Sequence, residues 1–244
     1  PKGSSYEKEW TRVDSLTDKG LYKSALDRVK MSYTKAKTDQ NDPQIVKAII
    51  HRMKYERYIE EFDQEKALND LNGELKGTKF PLRNILHSII AETYWNYYQS
   101  NRWKFLNRTT TVNFTPTDIA TWDLTHLVDE TFKHHLAALE SSDSLKRLSV
   151  AHFEVILHSG NTDGRKLRPT LYDFIAHRSL DFFINNEADI TRPANTFQLE
   201  SEDYFRTGQE FPKFKLENTD SLSRKFYAMR LFQDLLAFHG KDTS

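Results

Sequence analysis

Asp173 and His177 stand four residues apart, the spacing that brings a carboxylate and an imidazole to one helix face. There the acid can orient the ring for proton transfer. No nucleophile is tied to the pair by spacing, so a hydrogen bond on a helix surface explains it equally well. His134 and His135 offer two imidazoles, but neighbours on a helix point in different directions and do not share a metal easily. Asp123 and His126 are three apart, and nothing in the sequence identifies the further ligands a metal would need. Gly160 to Lys166, GNTDGRK, lacks the glycine spacing, the hydroxyl residue after lysine and the preceding strand of a phosphate loop. It reads as a polar turn. No catalytic residue, metal site or cofactor is assigned, and the chain reads as a non-enzyme.

A second group mixes rings and cations: Tyr94, Trp95, Tyr97, Tyr98, Arg102, Trp103, Lys104, Phe105 and Arg108. Such interleaving can stack bases or sugars. At helical spacing the same residues form core and interhelix contacts, and packing is the preferred reading. Trp95, Tyr98, Arg102 and Trp103 are kept as candidate binding residues. Asn107-Arg108-Thr109 and Asn113-Phe114-Thr115 match the N-glycosylation pattern.

The elements that must position these residues are helices. Ser4 and Glu7 have capping-box spacing, and Trp10, Val13 and Leu16 follow in period up to Lys19-Gly20. Leu21, Ala25, Val29 and Tyr33 continue to about Lys37. Asp42-Pro43 opens a helix with Val46, Ile49, Ile50 and Met53; Ala67, Leu68, Leu71 and Leu75 form another before Gly77. These segments read as paired antiparallel helices, a tetratricopeptide-like array or a bundle, although only Gly20, Leu21, Tyr22 and Ala25 fit a repeat unit. Phe80 to Arg102 has an apolar face wide enough to imply burial between two other helices.

Residues 109–115 are β-branched and polar and read as extended. Thr115-Pro116-Thr117-Asp118 restarts helix, with Ile119, Leu124, Val128, Phe132 and Leu136 in stripe. Further helices are expected over Leu145–Leu157, from Pro169-Thr170, with Asp173 three residues after the threonine as in a cap, holding Leu171, Phe174, Ile175 and Phe182, and over Asp220–Phe238 with Leu222, Phe226, Met229, Phe232 and Leu236. Ser159 to Gly164 reads as a loop, and residues 187–218 as an irregular connection with short strands near 197–199. At least eight helices of two or more turns are predicted, in one domain spanning 1–244.

Composition agrees with that class. Hydrophobic residues are 38% and charged residues 29% of 244, too apolar for disorder. Eight glycines and seven prolines are few for a β-sandwich. Lys+Arg and Asp+Glu balance at 35 each, which removes the electrostatic footprint of a nucleic-acid binder. With no cysteine, the chain has no disulfide, thiolate metal site or cysteine nucleophile. No apolar run approaches the roughly 20 residues of a membrane span. Pro1-Lys2-Gly3-Ser4-Ser5 carries no signal-peptide core, so any export signal is expected to lie outside this stretch.

Four stretches together resemble a known family: EWTRVDSLTDKGLYKSALDRV (9–29), LHSIIAETYWNYYQSNRWKFLNRT (86–109), DIATWDLTHL (118–127) and RPTLYDFIAHRSLDFF (168–183). They are similar to the N-terminal helical region of large alpha-2-macroglobulin-like proteins of Bacteroides-type bacteria. The resemblance implies the N-terminal part of an exported protein, periplasmic or at the outer membrane or cell surface, with macroglobulin-type β-sandwich domains downstream. Its implied partners are those domains or an envelope protein, and its implied parent traps proteases. No thioester residue is carried over, because the chain lacks cysteine. The expectation is a non-catalytic scaffold or interaction module. The rival is an independent glycan- or peptide-binding module of the envelope using Trp95, Tyr98 and Trp103.

Overall fold

The computed structural model of the chain describes residues 3–59, 64–106, 118–157, 162–187, 204–217 and 223–240. Within them the protein is helical, and the backbone pairing outside helices is a single antiparallel bridge between Ser149 and Thr170. Helices α1 (Gly3–Asp18), α2 (Tyr22–Thr38) and α3 (Asp42–Ile59) follow one another through three-residue turns. Each turn closes in the same way. Leu21 N–H reaches Leu16 C=O and Gly20 N–H reaches Thr17 C=O; Asn41 and Gln40 repeat this on Ala36 and Lys37. Such a closure needs a left-handed residue, which Gly20 supplies freely and Gln40 at φ 50° supplies with strain. The Ser4 side chain of the expected capping box lies outside the described residues.

Helices α4 (Gln64–Leu75) and α5 (Leu82–Ser100) follow, then a short α6 (Arg102–Leu106). α5 packs most closely against α7 (Leu124–Ala138), and α2 against α3. The expected burial of α5 between neighbours holds for Leu82, Leu86, Ile90, Tyr94 and Tyr98, all inside. α3 differs in detail. Ile45, Val46, Ala48 and Ile49 are buried, while Ile50 is 41% exposed.

The helix expected from Thr115 begins later, at Leu124, because Asp123 accepts from His126 N–H at 2.8 Å and caps it. Asp118 caps only the 3-10 turn Ile119–Thr121; residues 109–117, the two Asn-x-Thr patterns and Arg108 lie outside the described residues. The expected helix 145–157 is also corrected. α8 (Ser142–Lys146) stops, and residues 150–156 wind as 3-10 helix. The cause is competition for backbone groups: Val150 N–H goes to Pro169 C=O and Leu171 N–H to Leu148 C=O. The polar turn at 160–166 is helical from its third residue, within α9 (Thr162–Leu167).

Thr170 and Asp173 form the reciprocal capping box of α10 (Leu171–Phe183), as the sequence predicts. The last helix, α11 (Arg224–His239), starts under a Ser223 cap rather than at Asp220. It is rotated from the expected stripe: Arg224, Ala228, Leu231 and Leu235 are buried, whereas Phe232 and Leu236 face outward. The suggested strands at 197–199 and Leu222 fall outside the described residues. Buried apolar side chains from Tyr6 to Leu235 form one contiguous cluster. Among the described residues no helix is long and apolar enough to cross a membrane.

Candidate functional site

The aromatic and basic cluster divides between interior and surface. Tyr98 is 1% exposed, and Tyr94, Tyr97 and Phe105 are also buried. Tyr98 packs on Trp95 at 4.9 Å and edge-on to Phe105 at 5.8 Å between ring centroids. Its faces are taken by neighbours, leaving none for a base or sugar. Arg102 lies over the Tyr98 ring at 5.9 Å and forms an ion pair with Glu187. Hydrogen bonds from Gln99 and Arg102 hold the Glu187 carboxyl below the usual carboxylate range. Trp103 is 67% exposed, with Lys104 over its ring, and points away from that packing.

Asp173 is fully buried, and the imidazole it meets is not the one spacing suggested. His239 of α11 donates from Nε2 to Asp173 Oδ1 at 2.7 Å. Oδ2 accepts from the Thr170 amide and hydroxyl at 3.0 and 2.8 Å. His177 Nδ1 donates instead to the Asp173 backbone carbonyl at 2.8 Å. Nearby, Asp234 of α11 accepts from Lys146 at 2.8 Å and from the Tyr172 hydroxyl, so two carboxylates and three helices are clasped together. Burial and Asp234 push the Tyr172 phenol well above its ordinary range. The whole arrangement is a helix clamp with every carboxylate oxygen engaged.

The adjacent histidines diverge as helical geometry requires. His134 Nδ1 pairs with His87 Nδ1 at 3.0 Å, and His135 Nδ1 with Ser179 Oγ at 3.1 Å. Burial depresses His134 to about 4 and His135 to about 3, and lowers His87 as well. The His87–His134 contact therefore joins two neutral rings, one donating and the other accepting. Among the described residues no group of three or more His, Asp or Glu side chains could hold a metal ion.

What the fold leaves open is a groove of about 640 Å³ between α3, α5, α10 and residues 156–157. α3 contributes Val46, Ile50 and Met53 with Lys54 and Arg57 beyond them; α5 contributes Ile85 and Ile89 with Ser88, Glu92 and Thr93. Ile156, Leu157, Phe174 and Ile175 complete the apolar lining. Arg178 closes one side. Its Nε donates to Ser88 Oγ at 3.3 Å, its guanidinium lies 5.4 Å from the Phe174 ring, and it forms an ion pair with Glu92. The same pair lines a second cavity of about 290 Å³ holding Trp95, Asn96, His135, Asp181, Phe182 and Asn185. Of the candidate binding residues Trp95, Tyr98, Arg102 and Trp103, Trp95 is in the lining of this second cavity.

Sequence reading missed the groove. Ile50 and Ile89 carry the period of a core stripe, yet both line the groove. The wide apolar face of α5 was the available signal, since a face that wide need not be wholly covered by its own chain. Comparison with models of protein families, with curated proteins and with solved structures gives no match for this chain.

Proposed function

We propose that the chain is a non-catalytic helical interaction module, a tetratricopeptide-like array or bundle of paired helices, whose working surface is the groove between α3, α5 and α10. In this reading it precedes macroglobulin-type domains in an exported envelope protein resembling the alpha-2-macroglobulin family. It docks on those domains or on another envelope protein, and protease trapping belongs to the downstream parts. The supporting observation is the groove itself, about 640 Å³ with an aliphatic floor reached by solvent. Apolar concavities with a few polar groups at the rim are where proteins bind partners. The alternatives that need chemistry have less support, because Asp173 is committed to the α10 cap and to His239.

The rival reading, glycan or peptide capture through the aromatic cluster, is favoured by one observation: Trp95 shares its small cavity with Asn96, Asp181 and Asn185. Rings beside amides and carboxylates suit a sugar, but Tyr98 is withdrawn into the core. Both readings are tested by screening an immobilised library of random dodecapeptides and a glycan array. Ile50→Asp places a charge in the groove at a site already 41% exposed, so folding is retained. Peptide binders that Ile50→Asp abolishes are expected. Glycan binding lost on Trp95→Ala, with no groove-dependent peptide, would overturn the proposal.

A further inference from the structure

Building on the reading of the groove as an interaction surface, we infer that its occupant is an extended peptide segment of aliphatic and acidic residues, one of whose carboxylates replaces Glu92 on Arg178. Charge complementarity points this way. Among the described residues the lining brings in Lys54 and Arg178, with Arg57 having a partner of its own, against one carboxylate, Glu92. The chain as a whole has 35 basic and 35 acidic residues, so any pull on an acidic ligand comes from local groups, here Lys54 and Arg178.

Arg178 is built to receive a carboxylate. Ser88 holds its Nε and the Phe174 ring lies under the guanidinium, which fixes the planar fork in place. Glu92, its present partner, has a side chain 52% exposed, and an ion pair that open to water is weak and readily exchanged. The pair also stands where the two cavities meet, so a ligand carboxylate arriving there displaces Glu92 without disturbing the helix packing. Shape selects the backbone. An α-helix about 10 Å across would place little more than one turn in this volume. An extended segment seats alternate side chains along the Ile50, Ile89 and Ile156 floor while the intervening ones face the rim.

The test is fluorescence polarisation at low salt with three labelled dodecapeptides: leucine and valine alternating with glutamate, the same with lysine, and serine alternating with glutamate. The Leu/Val/Glu peptide is expected to bind at least about tenfold tighter than either other probe, since a like charge against the rim is strongly unfavourable. Glu92→Gln frees Arg178 and should tighten it further. Lys54→Glu, at an exposed rim position, should weaken it and narrow the gap to the lysine peptide. Equal binding of the glutamate and lysine peptides, or weaker binding by Glu92→Gln, overturns the inference while leaving the groove reading standing. Absence of any aliphatic-peptide binding overturns both. Light scattering that shows a dimer abolished by Ile50→Asp would assign the groove to a second copy of the chain, which also overturns it.

Discussion

Tyr98 is the side chain at which packing and ligand capture make opposite demands. Enclosed by Trp95, Phe105 and the α5 core, it behaves as a large interior residue. Tyr98→Ala is expected to cost about 2–5 kcal/mol, the range for a large buried truncation. Trp103→Ala, at a mostly exposed position, should stay within about 0.5 kcal/mol. Denaturant melts of both variants check this, and an unchanged Tyr98→Ala midpoint would return the ring to the list of binding residues. The His87–His134 contact sets a pH dependence. In the folded protein burial holds His134 near 4, against 6.5 when free. The unfolded chain therefore binds more protons between those values, and stability falls as pH drops from about 6.5 towards 4. Arg83 and Lys133 reinforce the depression, while Glu130 and Glu140 oppose it. His134→Gln should flatten the loss of thermal midpoint across that window, and an unchanged slope would mean that His135 or His51 dominates.

Among the elements, α10 and α11 depend on one buried carboxylate. Asp173 serves the amide and hydroxyl of Thr170 and the His239 imidazole together. Asp173→Ala removes the cap and leaves these donors unsatisfied, a combined loss of about 1–3 kcal/mol. His177→Ala, whose ring bonds only the preceding turn's carbonyl, is expected to cost less than about 0.5 kcal/mol. Urea denaturation of the two variants decides it, and equal losses would restore the pairing suggested by spacing. The rotation of α11 is a similar lesson. Phe232 and Leu236 match the apolar period as well as Leu231 and Leu235 do, and the clamp at Asp234 and His239 selects which pair turns inward.

For the whole molecule, the proposed separation of roles makes a direct forecast. The chain alone should neither inhibit nor form covalent adducts with trypsin-like or elastase-like proteases. It contains no cysteine for a thioester, and the described residues are taken up by helices and their connections. Residual activity on a large protein substrate, with electrophoresis for adducts, measures this. Stoichiometric loss of protease activity would place trapping within the helical region itself.

The helical class, the spans of α1 to α5 and the capping box of α10 were legible in the sequence, because they rest on local signals: apolar period, left-handed glycine and reciprocal capping. Boundaries failed where distant groups competed for the backbone, as when the pairing of residues 148–150 with 169–171 cut short the helix expected to Leu157. Partners failed for a related reason. Spacing offered Asp173 the imidazole of His177 on the same helix, and tertiary packing supplied His239, 66 residues away. The groove lay beyond the sequence altogether. Periodicity shows that Ile50 and Ile89 belong to apolar faces, but whether a neighbouring helix covers them depends on how α3, α5 and α10 are placed by the packing of the whole core.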